Sequence, residues 1–449
     1  MRRLASALKI HPGEESVVVR LLALMVVAWA GAAIGSYAVE SLFFAKFGPR
    51  NLPYMFIAVG AVTFPVSLAV GSLLARPSRR LVLNAIPLAM ALVVLALRGL
   101  FALHSRWIYP VSWLLMMVVW IVLGIGTWSL AGTAHDSRQA KRLFPLYGAA
   151  VILATAVGGL LTAPLAEALH AENLVLIWAA SLVATGVLAA SLPGGRRRRG
   201  RLAGPRPKAA GLLDAARAGA RYVRGSDLLL WMSVAAALLS LLLFALSLPF
   251  AKAVTAKYPD PDGLAAFLGL FGGASNAVAL VVSLAVANRL FARLGVPTVV
   301  LGLPLIYLLG FAMVAVTPAF GPLVGFRFAQ LVWMNGMWQT GWQALRGIVP
   351  PERREQVRAF MDGGPTQVGV IVAGVVLLGA QAWLSTRQFF VLMAAIAVVA
   401  VVAGWRVRQA YRGSLVEALR EGWPEVFTVG GVALGGTALD QAASVALAE

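Results

Sequence analysis

The residues best suited to hold a polar solute form a stripe of amides and indoles within one apolar segment, residues 320–345. The stripe comprises Asn335, Gln339 and Gln343, the intervening Trp338 and Trp342, and Arg346 at its end. Because residues four apart share one face of an α-helix, the three amides predict a polar face. An unpartnered amide is costly in lipid, so this face must contact protein or water. We predict a substrate-binding wall in which amides bond a polar group and an indole stacks on a planar ring. Hydrogen bonding between helices is the alternative.

Three ionisable residues also lie within apolar segments: Glu40, Arg98 and Arg327. Each costs at least ~2.5 kcal/mol at a helix centre on insertion scales, so each is a candidate for substrate binding. Glu40 could pair with Arg327 and exchange that partner for substrate or a proton. The alternatives are an ordinary salt bridge for Glu40 and extension of the two arginines to the membrane surface.

Basic residues also stand where two apolar segments begin: Lys141 and Arg142 before one, and Arg358 before the other. Positive charge is unfavourable at the N-terminus of a helix, so a compensating anion is attractive there. A phosphate-bearing substrate would supply it, and Asp362 could instead pair with Arg358 and keep a gate closed. Orientation of the chain in a membrane is the alternative explanation for all three cations.

The composition places these residues in an integral membrane protein. Of 449 residues, 60% are hydrophobic and only 12% are charged, and the mean hydropathy is +0.83. There is no cysteine and the four histidines are widely spaced, so no local metal or thiol motif exists. No catalytic triad pattern or phosphate-binding glycine loop is recognisable. We therefore expect neither enzyme activity nor a cofactor nor a bound metal.

Twelve apolar runs are long enough to cross a bilayer as helices, which takes about 20 residues. We place them at 20–45, 52–75, 81–103, 108–132, 144–166, 174–192, 227–250, 263–288, 296–316, 320–345, 361–384 and 387–405. An even number of crossings puts both termini on one side, and 30 of the 38 Lys and Arg residues fall on that side. The termini are therefore expected in the cytoplasm, and the protein in a bacterial inner membrane.

The longest polar interruption divides the chain into two halves with an internal echo. We expect an N-terminal six-helix bundle at 1–192, a basic linker at 193–226, a C-terminal six-helix bundle at 227–410 and a cytoplasmic tail at 411–449. In this echo Lys141 and Arg142, followed by glycines 148, 158 and 159, correspond to Arg358, followed by glycines 363, 364 and 369. Anionic lipid headgroups, rather than nucleic acid, are the expected partners of the basic linker.

The loop after the second run resembles the signature of the major facilitator superfamily. Gly71 to Arg80 matches the pattern Gly-x-Leu-x-Asp-Arg-x-Gly-Arg-Arg at Gly71, Leu73, Arg76, Arg79 and Arg80. The resemblance implies an all-α membrane protein with twelve transmembrane helices in two pseudo-symmetric six-helix bundles. It also implies a gating role for Arg76, Arg79 and Arg80, and a cavity lined by the first, fourth, seventh and tenth helices.

A second segment gives a narrower resemblance. Gln139-Ala140-Lys141-Arg142-Leu143-Phe144-Pro145-Leu146-Tyr147-Gly148 is similar to a segment of the nucleotide (ATP/ADP) translocase family. The region from Ser41 to Tyr54 is similar to relatives that are fused to soluble cytoplasmic domains. This resemblance implies a nucleotide substrate and a soluble partner or fused domain at the tail.

The sequence thus predicts a secondary active transporter that works by alternating access on an organic anion, such as a nucleotide or a related phosphate compound. Two alternatives remain. Ala75 and Ser78 depart from the superfamily signature, which favours a sensor or scaffold that no longer transports. Glu40 and the many tryptophans would also suit an exporter of hydrophobic or cationic compounds.

Overall fold

The computed structural model of the chain describes most of its residues. They are 14–74, 79–103, 105–135, 137–192, 220–346, 349, 357, 360–361, 363–420, 428–429 and 432–433. For Arg79, Arg80 and Lys141 the structure describes the backbone but not the side chain.

The described residues form twelve long helices, which confirms the all-α fold class. They are α1 (Glu15–Leu42), α2 (Leu52–Leu74), α3 (Arg79–Phe101), α4 (Ile108–Ala134), α5 (Ser137–Leu169), α6 (Ala171–Ser191), α7 (Asp227–Lys257), α8 (Pro261–Val282, continued by Asn288–Leu294), α9 (Val296–Val316), α10 (Phe320–Trp333, continued by Gln339–Leu345), α11 (Pro365–Trp383) and α12 (Thr386–Arg420). A π turn ends α1 at Phe43–Phe47, and π turns join the two parts of α8 at Ser283–Ala287 and of α10 at Met334–Trp338. Near the C-terminus β1 (Thr428–Val429) pairs antiparallel with β2 (Val432–Ala433).

Helices are the expected secondary structure within a bilayer, because a helix satisfies its own backbone hydrogen bonds. In the described part of the chain, eleven helices are both long and apolar enough to cross a membrane. The exception is α10, which is continuous through its π turn but carries an arginine and four amides. Among the twelve described helices, the one that falls short of this apolarity is therefore α10, the helix on which the sequence predicts the substrate-binding wall.

The described residues pack into two compact units, and each unit takes a segment from the other half of the sequence. Unit 1 draws on Met1–Asn51, Val62–Gly200 and Ala251–Ala277, while unit 2 draws on Leu52–Ala61, Arg201–Phe250 and Val278–Glu449. Unit 1 thus includes the end of α7 and most of α8, and unit 2 includes the start of α2. The division at 192 and 227 stays a prediction about the repeats in the sequence.

In unit 1 the segment from α8 packs against α5 through glycines. A Cβ on Gly159 would lie 2.7 Å from the backbone N and Cα of Gly273, closer than real Cβ atoms approach. One turn away, a Cβ on Gly269 would collide with Thr162. The two backbones are therefore in direct contact along an antiparallel helix pair, which only glycine permits.

Unit 2 contains the corresponding pair, α2 against α11. A Cβ on Gly374 would lie 2.7 Å from the carbonyl oxygen of Pro53 and 2.6 Å from Ile57. Toward the other end of the pair, a Cβ on Gly60 would collide with the side chain of Ile371. The same kind of close antiparallel contact thus occurs once in each unit.

The internal echo of the sequence is visible in the packing as well. In unit 1 a Cβ on Gly158 of α5 would overlap the carbonyl oxygen of Ala30 on α1. In unit 2 a Cβ on Gly369 of α11 would overlap the carbonyl oxygen of Ala237 on α7. Gly158 and Gly369 belong to the two glycine groups of the sequence echo, and they make matching contacts, α5 with α1 and α11 with α7.

The α5 and α8 contact gives a stability prediction. We expect Gly159→Ala to destabilise the purified protein by about 1–3 kcal/mol, because the added methyl group overpacks a backbone contact. Gly148→Ala in the same helix, where a Cβ would have open space, should be neutral or stabilising by up to roughly 1 kcal/mol. Thermal unfolding in detergent measures both, and equal effects of the two substitutions would contradict the packing described.

Candidate transport site

The substrate wall predicted on α10 is built around its π turn, Met334–Trp338. Such turns are wider than an α-helical turn and occur often at functional sites. Within the turn Gly336 faces α8, where a Cβ would lie 3.0 Å from the carbonyl oxygen of Ala279. The wide turn is thus held in place by close packing of α10 on α8 in unit 2.

The π turn interrupts the regular helix at the start of the amide stripe. A π turn inserts an extra residue, so residues after it lie about 100° from where an uninterrupted α-helix would put them. Asn335 is half-buried and accepts a hydrogen bond from Gln339 Nε2 at 3.3 Å. Gln339 and Gln343 are exposed, and Arg346 is half-buried. The hydrogen-bonded amides are therefore the neighbouring pair Asn335 and Gln339.

The two tryptophans of the stripe stack on each other. The rings of Trp338 and Trp342 have centroids 4.9 Å apart and planes inclined by 21°. Trp342 is only 7% exposed and packs in an apolar cluster with residues of α7, α9 and α12, such as Val300 and Ala403. Trp338 lies at the edge of this cluster, and its buried Nε1 has no hydrogen-bond partner among the described residues. Trp338 is thus better placed than Trp342 to contact a solute.

Arg327, two turns before Asn335, is held inside unit 2. Its Nη1 donates to Gln330 Oε1 at 3.0 Å, and its guanidinium lies 5.8 Å from the centre of the Phe250 ring. Gln330 is fully buried, and its Nε2 contacts the sulfur of Met334 at 3.4 Å. A half-buried cation therefore stands on the same helix as the amide pair, connected to the π turn through Gln330.

In unit 1, aromatic and polar side chains of α1 and α4 form a cluster. Spacing within a single helix did not predict it, because its members come from two helices. The ring of Trp29 contacts that of Trp120 edge-on at 5.0 Å. Trp120 Nε1 donates to Ser36 Oγ, which in turn donates to the carbonyl oxygen of Ala32 at 2.6 Å. The buried Nε1 of Trp29 has no partner within the described part of the chain. The tryptophans of α4 were the available signal.

Glu40 lies just beyond this group, one turn after Ser36 on α1, and it is half-buried. Beside it, the side chain of Tyr37 packs directly on Gly272 of α8, where a Cβ would overlap the hydroxyl oxygen. The acid therefore belongs to the part of α1 that faces other helices of unit 1. Its exchange of partners with Arg327 stays a hypothesis.

At the start of α5 the predicted anion is supplied by the protein itself. Arg142 pairs with the carboxylate of Glu14, and Gln139 Nε2 donates to the same carboxylate at 2.8 Å. The two charged side chains are only 18% and 17% exposed. Because Glu14 neutralises the charge at this helix terminus, Arg142 needs no phosphate to explain its position.

Arg98 likewise has a partner from the chain. Its Nε and Nη2 donate to Asn173 Oδ1 at 2.9 and 2.7 Å, which joins α3 to the first turn of α6. This geometry supports a role in connecting helices.

The remaining candidates cannot be placed with the others. Arg76, Arg358 and Asp362 lie outside the described residues, and for Arg79, Arg80 and Lys141 only the backbone is described. The gate expected from the loop signature and from Arg358 with Asp362 therefore stays a prediction.

The ion pair at the start of α5 can be tested by a double-mutant cycle. We expect Glu14→Gln and Arg142→Gln to show a coupling of about 0.5–3 kcal/mol in thermal unfolding, because they remove the same interaction. Glu14→Gln combined with Arg221→Gln, which replaces an exposed arginine, should be additive. Additivity for both pairs would show that Arg142 serves something other than Glu14.

The comparisons with known proteins support the fold. No family model matches the sequence, and no curated protein matches it. Among solved structures, a variant of the nucleoside transporter NupG is similar, with a TM-score of 0.66 and 12% identity over 87% of this chain and 99% of the other.

Two further solved structures have a similar fold. A bacterial homologue of the iron transporter ferroportin in its inward-facing state has a TM-score of 0.61 and 15% identity over 88% of this chain and 98% of its own. A POT family transporter in complex with 5-aminolevulinic acid has a TM-score of 0.62 and 10% identity over 85% and 94%. The chain is therefore an integral membrane protein with the fold of transporters of the major facilitator type, while the resemblance to nucleotide translocases stays a prediction.

Proposed function

We propose that this protein is a secondary active transporter that moves a small organic solute across the membrane by alternating access. The observation that carries the proposal is α10, a membrane-spanning helix with a π turn and a hydrogen-bonded amide pair among apolar helices. Polar groups at such depth are costly unless they serve a cavity or another helix. Transporters of the same fold bind solutes between helices near the middle of the membrane.

For the solute, we propose an organic anion that contains a planar ring, such as a nucleotide or a related phosphate compound. Asn335 and Gln339 offer amide donors and acceptors, and Trp338 offers a ring for stacking, worth about 1–3 kcal/mol per base. Arg327 is the candidate cation on the same helix. The similarity in fold to a protein named as a nucleoside transporter is consistent with the planar ring.

Arg142 and Arg98 have partners within the protein, which makes them weaker candidates for binding the charged part of the solute. Two of the cations that could have bound phosphate are engaged by Glu14 and Asn173. Arg327 remains the candidate because it lies on the same helix as the amide pair, and it would exchange its contact with Gln330 for the charged part of the solute. Exchange of one nucleotide for another, as the resemblance to the translocases implies, is the proposed mode of transport.

The proposal also includes the orientation of the protein in the membrane and the partners of its linker and tail. Both termini lie in the cytoplasm of a bacterial cell, supported by the excess of Lys and Arg on that side. The basic linker at 193–226 contacts anionic lipid, and the tail at 411–449 binds a soluble partner or precedes a fused domain.

Counterflow in liposomes tests transport directly. Purified protein in liposomes loaded with unlabelled nucleosides and nucleotides should accumulate the labelled compound transiently, whereas protein-free liposomes should not. Absence of counterflow for every nucleoside and nucleotide, with no thermal stabilisation by any of them, would contradict the proposed cargo.

The site on α10 is tested by amide substitutions. Gln339→Met and Asn335→Leu should each weaken binding of the transported compound by about two- to tenfold, as expected for one lost hydrogen bond. Gln381→Met, which replaces an exposed glutamine on α11, is the matched control and should bind as the wild type does. Equal affinity in all three variants would place the solute elsewhere.

A further inference from the structure

A polar contact outside the proposed solute site joins two connections of unit 1. His170 lies between α5 and α6, and Asp262 lies in the first turn of α8. His170 Nδ1 lies 2.7 Å from Asp262 Oδ2, and the backbone N–H of Ala171 donates to Asp262 Oδ1 at 2.6 Å. One carboxylate from α8 therefore holds both the histidine and the N-terminus of α6.

The Asp262 carboxylate also caps the N-terminus of α6. His170 precedes α6 but gives it no side-chain cap, and Asp262 supplies that cap from another helix. An anion is favoured at a helix N-terminus by the exposed N–H groups and the helix dipole. His170 also has a φ of 65°, which is uncommon for a residue other than glycine and costly unless surrounding contacts enforce it.

The contact lies at the end of the glycine-packed helix pair. α5 ends at Leu169 and α8 begins at Pro261, so the two antiparallel helices meet at His170 and Asp262 and continue side by side past Thr162 and Gly269. Both connections lie on the face of the membrane opposite the termini if each helix crosses once. Separation of α5 from α8 at this end would break the contact.

Among the described residues, the charges that act on His170 are acidic. They are Asp262 and Asp260 near the start of α8 and Glu172 on α6. The hydrogen bond and the charge of Asp262 raise the pKa of His170 above its ordinary value. Asp260 itself caps α8, accepting hydrogen bonds from the backbone N–H groups of Asp262 and Gly263.

We propose that His170 and Asp262 form a pH-sensitive latch that keeps α5 and α8 together on the face opposite the termini. It rests on the proposed function, because opening of that face is a step of alternating access. With His170 protonated, the latch is an ion pair. As the pH rises through the raised pKa of His170, the ion pair is lost and only the hydrogen bonds remain, so the face opens more readily.

Thiol labelling tests the latch without any solute. The chain has no cysteine, and Thr162 is fully buried at the contact with Gly269. In Thr162→Cys, maleimide should reach the thiol only when α5 and α8 separate. After correction for thiol ionisation in the denatured protein, labelling should be about two- to fivefold slower below the pKa of His170 than above it, the range expected for a surface ion pair.

Two variants and one control identify the residues. Adding His170→Asn, which tolerates the positive φ but does not titrate, should remove the pH dependence. Adding Asp262→Asn should speed labelling at low pH. Thr185→Cys places a buried thiol on α6 away from α8, and its labelling should not follow the same pH profile.

The outcomes separate the latch from the transport proposal. An unchanged pH profile in Thr162→Cys with His170→Asn would overturn the latch, whatever the protein transports. A latch that behaves as expected in a protein without counterflow would leave the latch standing and remove the proposed cargo. Labelling that is equally fast at all pH values in the wild-type background would also overturn the latch.

Discussion

Direct contact between helix backbones is the constraint on which the rest of this structure depends. Hydrophobic burial drives helix association weakly in lipid, because lipid is as apolar as leucine, so close packing and hydrogen bonds must hold helices together. Gly159 and Gly273 in unit 1, and Gly374 and Gly60 in unit 2, bring helices within distances that any side chain would prevent. Each contact joins helices that are distant in sequence, which is why each unit includes a segment from the other half.

A second constraint follows from the scarcity of polar groups. The described ionisable residues singled out in the sequence mostly have partners supplied by the chain: Arg142 has Glu14, Arg98 has Asn173, and Arg327 has Gln330. Buried charge is costly unless it is paired. The amide pair Asn335 and Gln339 and the ring of Trp338 lie together on α10, with Arg327 on the same helix, which is why the proposed site is centred on the π turn.

The sequence predicted the helices well because their signal is local. Continuous apolar runs, with Gly and Pro at their ends, define the spans, and α10 was recognisable as the helix rich in amides. The Arg142 pair was not predictable, because Glu14 lies 128 residues away. The same applies to His170 and Asp262, which are 92 residues apart. Side-chain pairs at such separation depend on how helices pack, and a single sequence does not encode that visibly.

The π turn of α10 shows the other limit of spacing arguments. A four-residue repeat implies one face only if the helix is regular, and Met334–Trp338 is not. The turn keeps Asn335 and Gln339 in contact, shifts the residues that follow, and leaves Trp342 to pack in the core. The contact between Asn335 and Gln339 agrees with their spacing, the packing of Trp342 in the apolar cluster was not predictable from it, and the role of the stripe in solute binding stays a prediction.

The central claim is that the protein alternates between states in which α5 and α8 are together and apart. The most direct measurement is the distance between spin labels on Glu167→Cys and Leu270→Cys, both at exposed positions of unit 1, in lipid at pH values below and above the raised pKa of His170. The account predicts a second, longer distance whose population grows at the higher pH and changes again when a transported nucleoside or nucleotide is added. A single distance that is unaffected by pH and by every such compound would contradict it.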